Sequence, residues 1–205
     1  MKRLVTISRE YGSGGRIIGK LLAEKLNVPF YDKEIIEIAA HKSGFSKEMM
    51  EKSELKAKNS FAYSLSSMSS AFGEGVGASM LSINERMFLA QFQVIHEISK
   101  KSGAVIVGRC ADYVLKDIPG VTNVFIYGEH EDRVKRAVES YGVKPEEAED
   151  VIASYDKARA NYYNYHTGRK WGDYRNYNLS IDSSYISEDE AAALIAHYVE
   201  RRTYR

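Results

Sequence analysis

Short apolar runs alternate along the chain with longer stretches whose apolar residues recur at three- and four-residue spacing. "RLVTIS", residues 3–8, reads as a buried strand, and glycines follow it at once. From Gly15 to Leu26, Ile17, Ile18, Leu21, Leu22 and Leu26 fall at helical spacing. "VPFYD", 28–32, predicts a second strand ending on Asp32, and "KEIIEIAAHKSG" predicts a helix stopped by Gly44. Residues 83–103 form the strongest amphipathic pattern, with Phe88, Phe92, Ile95 and Ile98 on one face and Gly103 as the stop. "AVIVG", 104–108, and "VTNVFIYG", 121–128, predict two more strands. Two helices follow, "EHEDRVKRAVESYG", with acids first and bases later to match the helix dipole, and "KPEEAEDVIASYDKARANYYNYH", with Pro145 near its start. "YNLSID", 177–182, is the last strand, and 187–202 the closing helix, with Ser187 and Glu190 spaced as a capping box.

Strands alternating with helices imply an α/β fold, a parallel sheet with helices on both faces. Ligands in such sheets sit at the C-terminal strand ends. This places the glycine loop, Asp32, Arg109, Tyr127 and Asp182 along one edge. Residues 45–82 break the alternation. Their "NSFAYSLSSMSSAFGEGVGASM" is rich in Ser, Gly, Met and Phe, and predicts a mobile insertion with one or two short helices. The 205 residues suit one domain.

Composition narrows the function little. The net charge is +1, so nothing global points to nucleic acid or an anionic membrane, and an anion site has to be local. The one cysteine, Cys110, excludes an intramolecular disulfide and a cysteine metal cluster, and reads as a small packing residue. The histidines show no metal-ligand spacing, so no metal-ligating residue is assigned. The start is too briefly apolar for a signal peptide and no long apolar run follows, so a cytoplasmic protein is expected.

The chemistry begins at "ISREYGSGGRIIGKLLAEKL", residues 7–26. Gly12, Gly14 and Gly15 let the backbone turn tightly and aim N–H groups inward. The following helix adds its positive end, Ser13 a hydroxyl and Arg16 a fixed charge. The nucleotide-binding pattern G-x-x-x-x-G-K-[ST] fits neither of two frames: one puts Arg9 at the first glycine and Gly15 at the lysine, the other Glu10 and Arg16. The dinucleotide pattern G-x-G-x-x-G fits Gly12, Gly14 and Asp32 but puts Ile17 at its third glycine. A glycine-rich turn without a ligand is the remaining alternative.

Four blocks in order, "ISREYGSGGRIIGKLLAEKL", "VPFYDKEII", "VIVGRCADYVL" and "NYNLSIDSS", resemble the cytidylate kinase-like family, a branch of the P-loop nucleoside monophosphate kinases. The resemblance runs over roughly residues 3–200. It implies a three-layer P-loop domain that transfers a phosphoryl group from ATP to CMP or dCMP with Mg²⁺. It assigns Gly12, Ser13, Gly14, Gly15 and Arg16 to the donor phosphates, and Asp32, Lys33 and Arg109 to the acceptor nucleotide. It makes 45–82 an acceptor-side insertion and 155–177 a lid. The loop lysine of such kinases is absent, and Val107 and Cys110 stand where acids commonly flank the Gly-Arg block, with Asp112 two residues on.

The lid segment carries Lys157, Arg159, Arg169, Lys170 and Arg175 among tyrosines. Cations there can clamp phosphates and stabilise a transferring phosphoryl group, so Arg16, Arg159 and Arg169 are the expected catalytic residues. The alternative is that these tyrosines pack a helix pair or a homodimer contact. Arg109 at a strand end implies a carboxylate or phosphate partner, with Asp112 or Asp32 as internal candidates. Asp182 is open between a metal-side role and capping the last helix. The expected partner is a small nucleotide. The rival to an enzyme is a non-catalytic nucleotide- or phosphate-binding module on the same fold.

Overall fold

In the computed structural model, which describes residues 2–55 and 81–202, the predicted alternation closes into one five-stranded sheet. The strands are β1 (Leu4–Arg9), β2 (Phe30–Tyr31), β3 (Ala104–Val107), β4 (Thr122–Tyr127) and β5 (Leu179–Asp182). They are all parallel, in the order β2-β3-β1-β4-β5, with Leu4 opposite Ala104 and Val5 opposite Thr122. Both faces are covered, so the central strands are mostly apolar, β3 without a break and β1 interrupted only by Thr6 before it turns polar at Ser8 and Arg9.

Side chains alternate across the sheet and feed two cores. On one face Val5, Ile7, Val105, Val107, Val124 and Ile126 pack against α1 (Gly15–Leu26) and the final helix α8 (Glu188–Arg201). On the other, Leu4, Ala104 and Ile106 pack against α2 (Glu34–Ser43) and α4 (Ile83–Lys101), with α3 (Lys47–Leu55) alongside. Gly19 lets α1 lie close to the sheet, since a Cβ there would sit 3.1 Å from both Ile7 and Val107. Ile17, counted on the apolar face of α1, is instead exposed beside the cleft described below. The predicted capping box forms, with Ser187 and Glu190 at the start of α8.

Three elements complete the fold. A short helix α5 (Ala111–Val114), unforeseen in the sequence, follows β3; α6 (His130–Glu139) follows β4; α7 (Ala148–Thr167) carries the tyrosine-rich run. Of the 45–82 insertion, α3 is one predicted short helix, and residues 56–80, including Phe61, Tyr63, Leu65, Met68 and Phe72, lie outside the described residues. Among the described residues no helix is long and apolar enough to cross a membrane.

The tyrosine-rich run divides. Tyr162 and Tyr163 are buried with Phe88 and Cys110, as the packing alternative has it, yet both also border the cleft described below, which the more exposed Tyr155 lines as well. His166 stacks on Phe88 at 4.1 Å, and burial lowers its pKa from the usual 6.5 to about 4. The unfolded chain then takes up a proton that the folded chain refuses. Stability held above pH 6.5 is lost as pH falls toward 4, by about 2 kcal/mol between pH 7.5 and 5. Urea denaturation at the two pH values should show that loss, and His166→Leu should show a clearly smaller one.

Candidate functional site

A cleft of about 730 Å³ opens at the C-terminal ends of β1, β2 and β3. Its lining brings together Gly12 and Gly15 of the glycine loop with Arg16, Asp32, Lys33, Arg109 and Arg159, while Ser13 and Gly14, also expected there, lie outside it, Gly14 facing Glu188 of α8. Arg169 lies outside this lining, with its guanidinium carbon 5.4 Å from the ring centre of Tyr113. Tyr127 and Asp182 also lie outside it, and the Asp182 carboxylate accepts a hydrogen bond from the Ser184 amide instead of capping α8.

The loop between β1 and α1 is held from outside. Gly12 has φ +80°, and a Cβ there would stand 2.5 Å from the backbone oxygen of Arg133, so both the turn and the contact require glycine. The Ser13 hydroxyl, fully buried, donates to the Glu10 carbonyl at 2.9 Å. From α6, Arg133 donates through Nε to the Tyr11 carbonyl at 2.8 Å and pairs with Glu10 at 3.1 Å and with Asp156. Arg136 donates to the Gly12 carbonyl at 2.6 Å. From α7, Asp156 accepts the Tyr11 amide at 2.7 Å. Two arginines thus grip loop carbonyls from outside, and the loop meets the cleft through Gly12, Gly15 and the start of α1. Sequence reasoning missed Arg133 and Arg136. The available signal was their three-residue spacing on a helix with few apolar residues, which puts both on one face.

The remaining cations converge on the cleft floor. Arg16 pairs through Nε with Asp32 at 2.7 Å, and its side chain is 60 % exposed. Arg9 approaches the other oxygen of Asp32 at 3.8 Å. Arg159 donates to the Arg9 carbonyl at 3.3 Å and lies over the Tyr11 ring. Burial, then the nearby Arg9 charge, pushes Arg159 down to about 9; burial first and Arg9 among the charges pushes Arg109 down to about 10. Cationic groups crowded out of water in this way favour a bound anion.

Arg109 is delivered by an unusual turn. The chain leaves β3 through three successive left-handed residues, Gly108, Arg109 and Cys110, with φ of 75°, 57° and 53°. Such backbone costs a non-glycine residue on the order of 1–3 kcal/mol and concentrates at ligand sites. Cys110 is buried, as expected for a packing residue. Deeper in, Asp112 is buried, accepts from the Tyr163 hydroxyl at 2.6 Å, and has its pKa raised by desolvation. Of the two acids foreseen as internal partners for Arg109, Asp112 accepts from Tyr163, and Asp32 pairs with Arg16 and Arg9 while its charge also acts on Arg109.

Over the loop, Tyr11 stacks on Tyr155 with centroids 4.6 Å apart and meets the edge of Tyr141 at 5.7 Å. All three rings line the cleft. Among the described residues no group of three His, Cys, Asp or Glu side chains is placed to hold a metal ion.

A model of the cytidylate kinase-like family matches residues 4–185. No curated protein sequence matches the chain significantly. Among solved structures, an uncharacterized protein from Eubacterium ventriosum ATCC 27560 is 28 % identical, with TM-score 0.73, over 98 % of this chain and 100 % of that one. Shikimate kinase from Bacteroides thetaiotaomicron (14 % identity, TM-score 0.56, coverage 98 % and 99 %) shares the fold. So does a gluconokinase from Sinorhizobium meliloti 1021 (14 % identity, TM-score 0.52, coverage 98 % of each chain). The sheet and its flanking helices are those of a P-loop kinase fold.

Proposed function

The chain belongs to the cytidylate kinase-like family, and from that premise we propose that it transfers the terminal phosphoryl group of ATP to a nucleoside monophosphate, CMP or dCMP. The carrying observation is the convergence of Arg9, Arg109 and Arg159 on one partly buried cleft beside a glycine loop. In this reading the backbone at Gly12 and Gly15 faces the donor phosphates, and Arg109 with Lys33 takes the acceptor phosphate. An acceptor phosphate oxygen forms a bond to the γ-phosphorus. The bond from that phosphorus to the β–γ bridging oxygen breaks, and its electron pair leaves with ADP. Arg159 neutralises charge on the moving group, and Arg169 is the reserve cation on the lid.

The residues fit a triphosphate: the loop turns through positive φ at Gly12 and Gly14, and cations line its floor. Mg²⁺ would arrive on the donor phosphates and neutralise them; the gathered protein groups are arginines. A cytoplasmic setting suits these substrates.

The Arg16–Asp32 pair favours a second reading, a nucleotide-binding module without turnover, because it turns the cation nearest the lysine place away from the loop. One panel separates the two: ADP release with ATP, Mg²⁺ and each of CMP, dCMP, UMP and AMP, beside thermal shifts with ATP. Turnover fastest with CMP or dCMP is the expected result. Stabilisation by ATP without turnover leaves the module, and no response to any nucleotide removes both readings.

A further inference from the structure

Phosphoryl transfer needs a cation on the donor phosphates, and the loop has no lysine to provide it. We propose that Arg9, the last residue of β1, binds the terminal phosphates of the donor in the lysine's stead, so that the charge comes from the strand below the loop and not from the helix after it. The proposal rests on the reading of the cleft as a triphosphate site.

Two glycines make room for this side chain. A Cβ on Gly15 would meet Arg9 Cβ at 2.7 Å and Cγ at 3.0 Å, so the stem of Arg9 runs directly under the first residue of α1. A Cβ on Gly108 would collide with Arg9 Nη1, so the guanidinium crosses the turn that delivers Arg109. The side chain is thereby fixed between the start of α1 and the end of β3, and it remains 20 % exposed to the cleft. Its carboxylate neighbour, Asp32, stands at 3.8 Å, beyond hydrogen-bond length, and is held more closely by Arg16. Arg16 and Arg9 therefore divide the work. The exposed Arg16 fastens Asp32, and the enclosed Arg9 faces the loop floor.

The neighbours reinforce this. Arg159 donates to the Arg9 carbonyl, which brings a second guanidinium alongside the first. Burial lowers the pKa of Arg9, and the adjacent Arg16 lowers it further. A polyphosphate would relieve both costs at once. A guanidinium suits the position because its planar fork grips two phosphate oxygens, where an ammonium is a point charge.

Calorimetric titration of the full chain with inorganic tripolyphosphate tests the assignment without requiring any turnover. Arg9→Met should weaken binding about 50-fold, the loss of a charge-assisted bidentate contact, and Arg9→Lys about tenfold. Arg16→Met should weaken it less than Arg9→Met does. Near-ultraviolet circular dichroism checks that each variant is folded. Should Arg9→Met fail to fold, Arg9→Lys and Gly108→Ala, which drives a methyl into the guanidinium, must each weaken binding. Equal affinity of wild type and the Arg9 variants, a larger loss in Arg16→Met, or no tripolyphosphate binding by the wild type overturns the proposal. Binding that depends on Arg9, without ADP release for any acceptor, would instead remove the kinase reading and leave this site standing. Turnover with binding indifferent to Arg9 would do the reverse.

Discussion

Arg133→Met should destabilise the protein by about 3–5 kcal/mol, the scale for removing one partner of a buried charge network. The side chain is 9 % exposed and reaches Glu10, the Tyr11 carbonyl and Asp156 together. Without it Glu10 loses its guanidinium partner, and of its guanidinium contacts Asp156 keeps only the longer one to Arg159 at 3.5 Å. The pH dependence distinguishes this cause from simple loss of packing. Burial raises the Glu10 pKa, and the Arg133 charge is the first influence opposing that rise. Removing Arg133 raises it further. A carboxyl whose folded pKa exceeds its unfolded value favours the folded state more as pH falls. The deficit of the variant should therefore shrink between pH 7.5 and 5.5. Urea denaturation of both proteins at the two pH values measures it, and a deficit that is small or independent of pH refutes the network.

The sequence made the layers visible because burial leaves a periodic trace. β1, β3 and β4 are covered on both faces and are predominantly apolar, and α1 and α4 show their stripes. The glycine loop and Arg109 were legible for another reason: positive φ and strand-end position constrain residue type locally. What escaped was long-range direction. Arg16 follows the glycines, yet its side chain turns to Asp32, sixteen positions on. Arg9 looked like a misfit at a motif position, although Gly15 at the start of α1 and Gly108 far along the chain both leave room for it. Arg133 and Arg136 looked like ordinary dipole-matched bases on a solvated helix, because nothing local shows that loop carbonyls lie opposite. The tyrosines could not be apportioned between core and cleft, since one side chain can serve both, as Tyr163 does by packing in the core and bordering the cleft.

Asp32→Asn should move stability and anion affinity in opposite directions. The carboxylate is 4 % exposed and is the shared counter-charge of Arg16 and Arg9. Its loss leaves Arg9, Arg109 and Arg159 crowded with less to offset them, at a cost of about 2–4 kcal/mol. Most of this belongs to the enclosed Arg9 side, because the Arg16 side chain is largely solvated and its pair is worth little. The same crowding makes an added anion more welcome. Tripolyphosphate should bind the variant several-fold more tightly, and saturating tripolyphosphate should restore more stability to the variant than to the wild type. Turnover should nevertheless fall on the proposed reading, which gives Asp32 and Lys33 to the acceptor. Thermal unfolding with and without tripolyphosphate, set beside steady-state rates, reads all three. A variant that loses stability and anion affinity together would show that Asp32 builds the anion site instead of counterbalancing it.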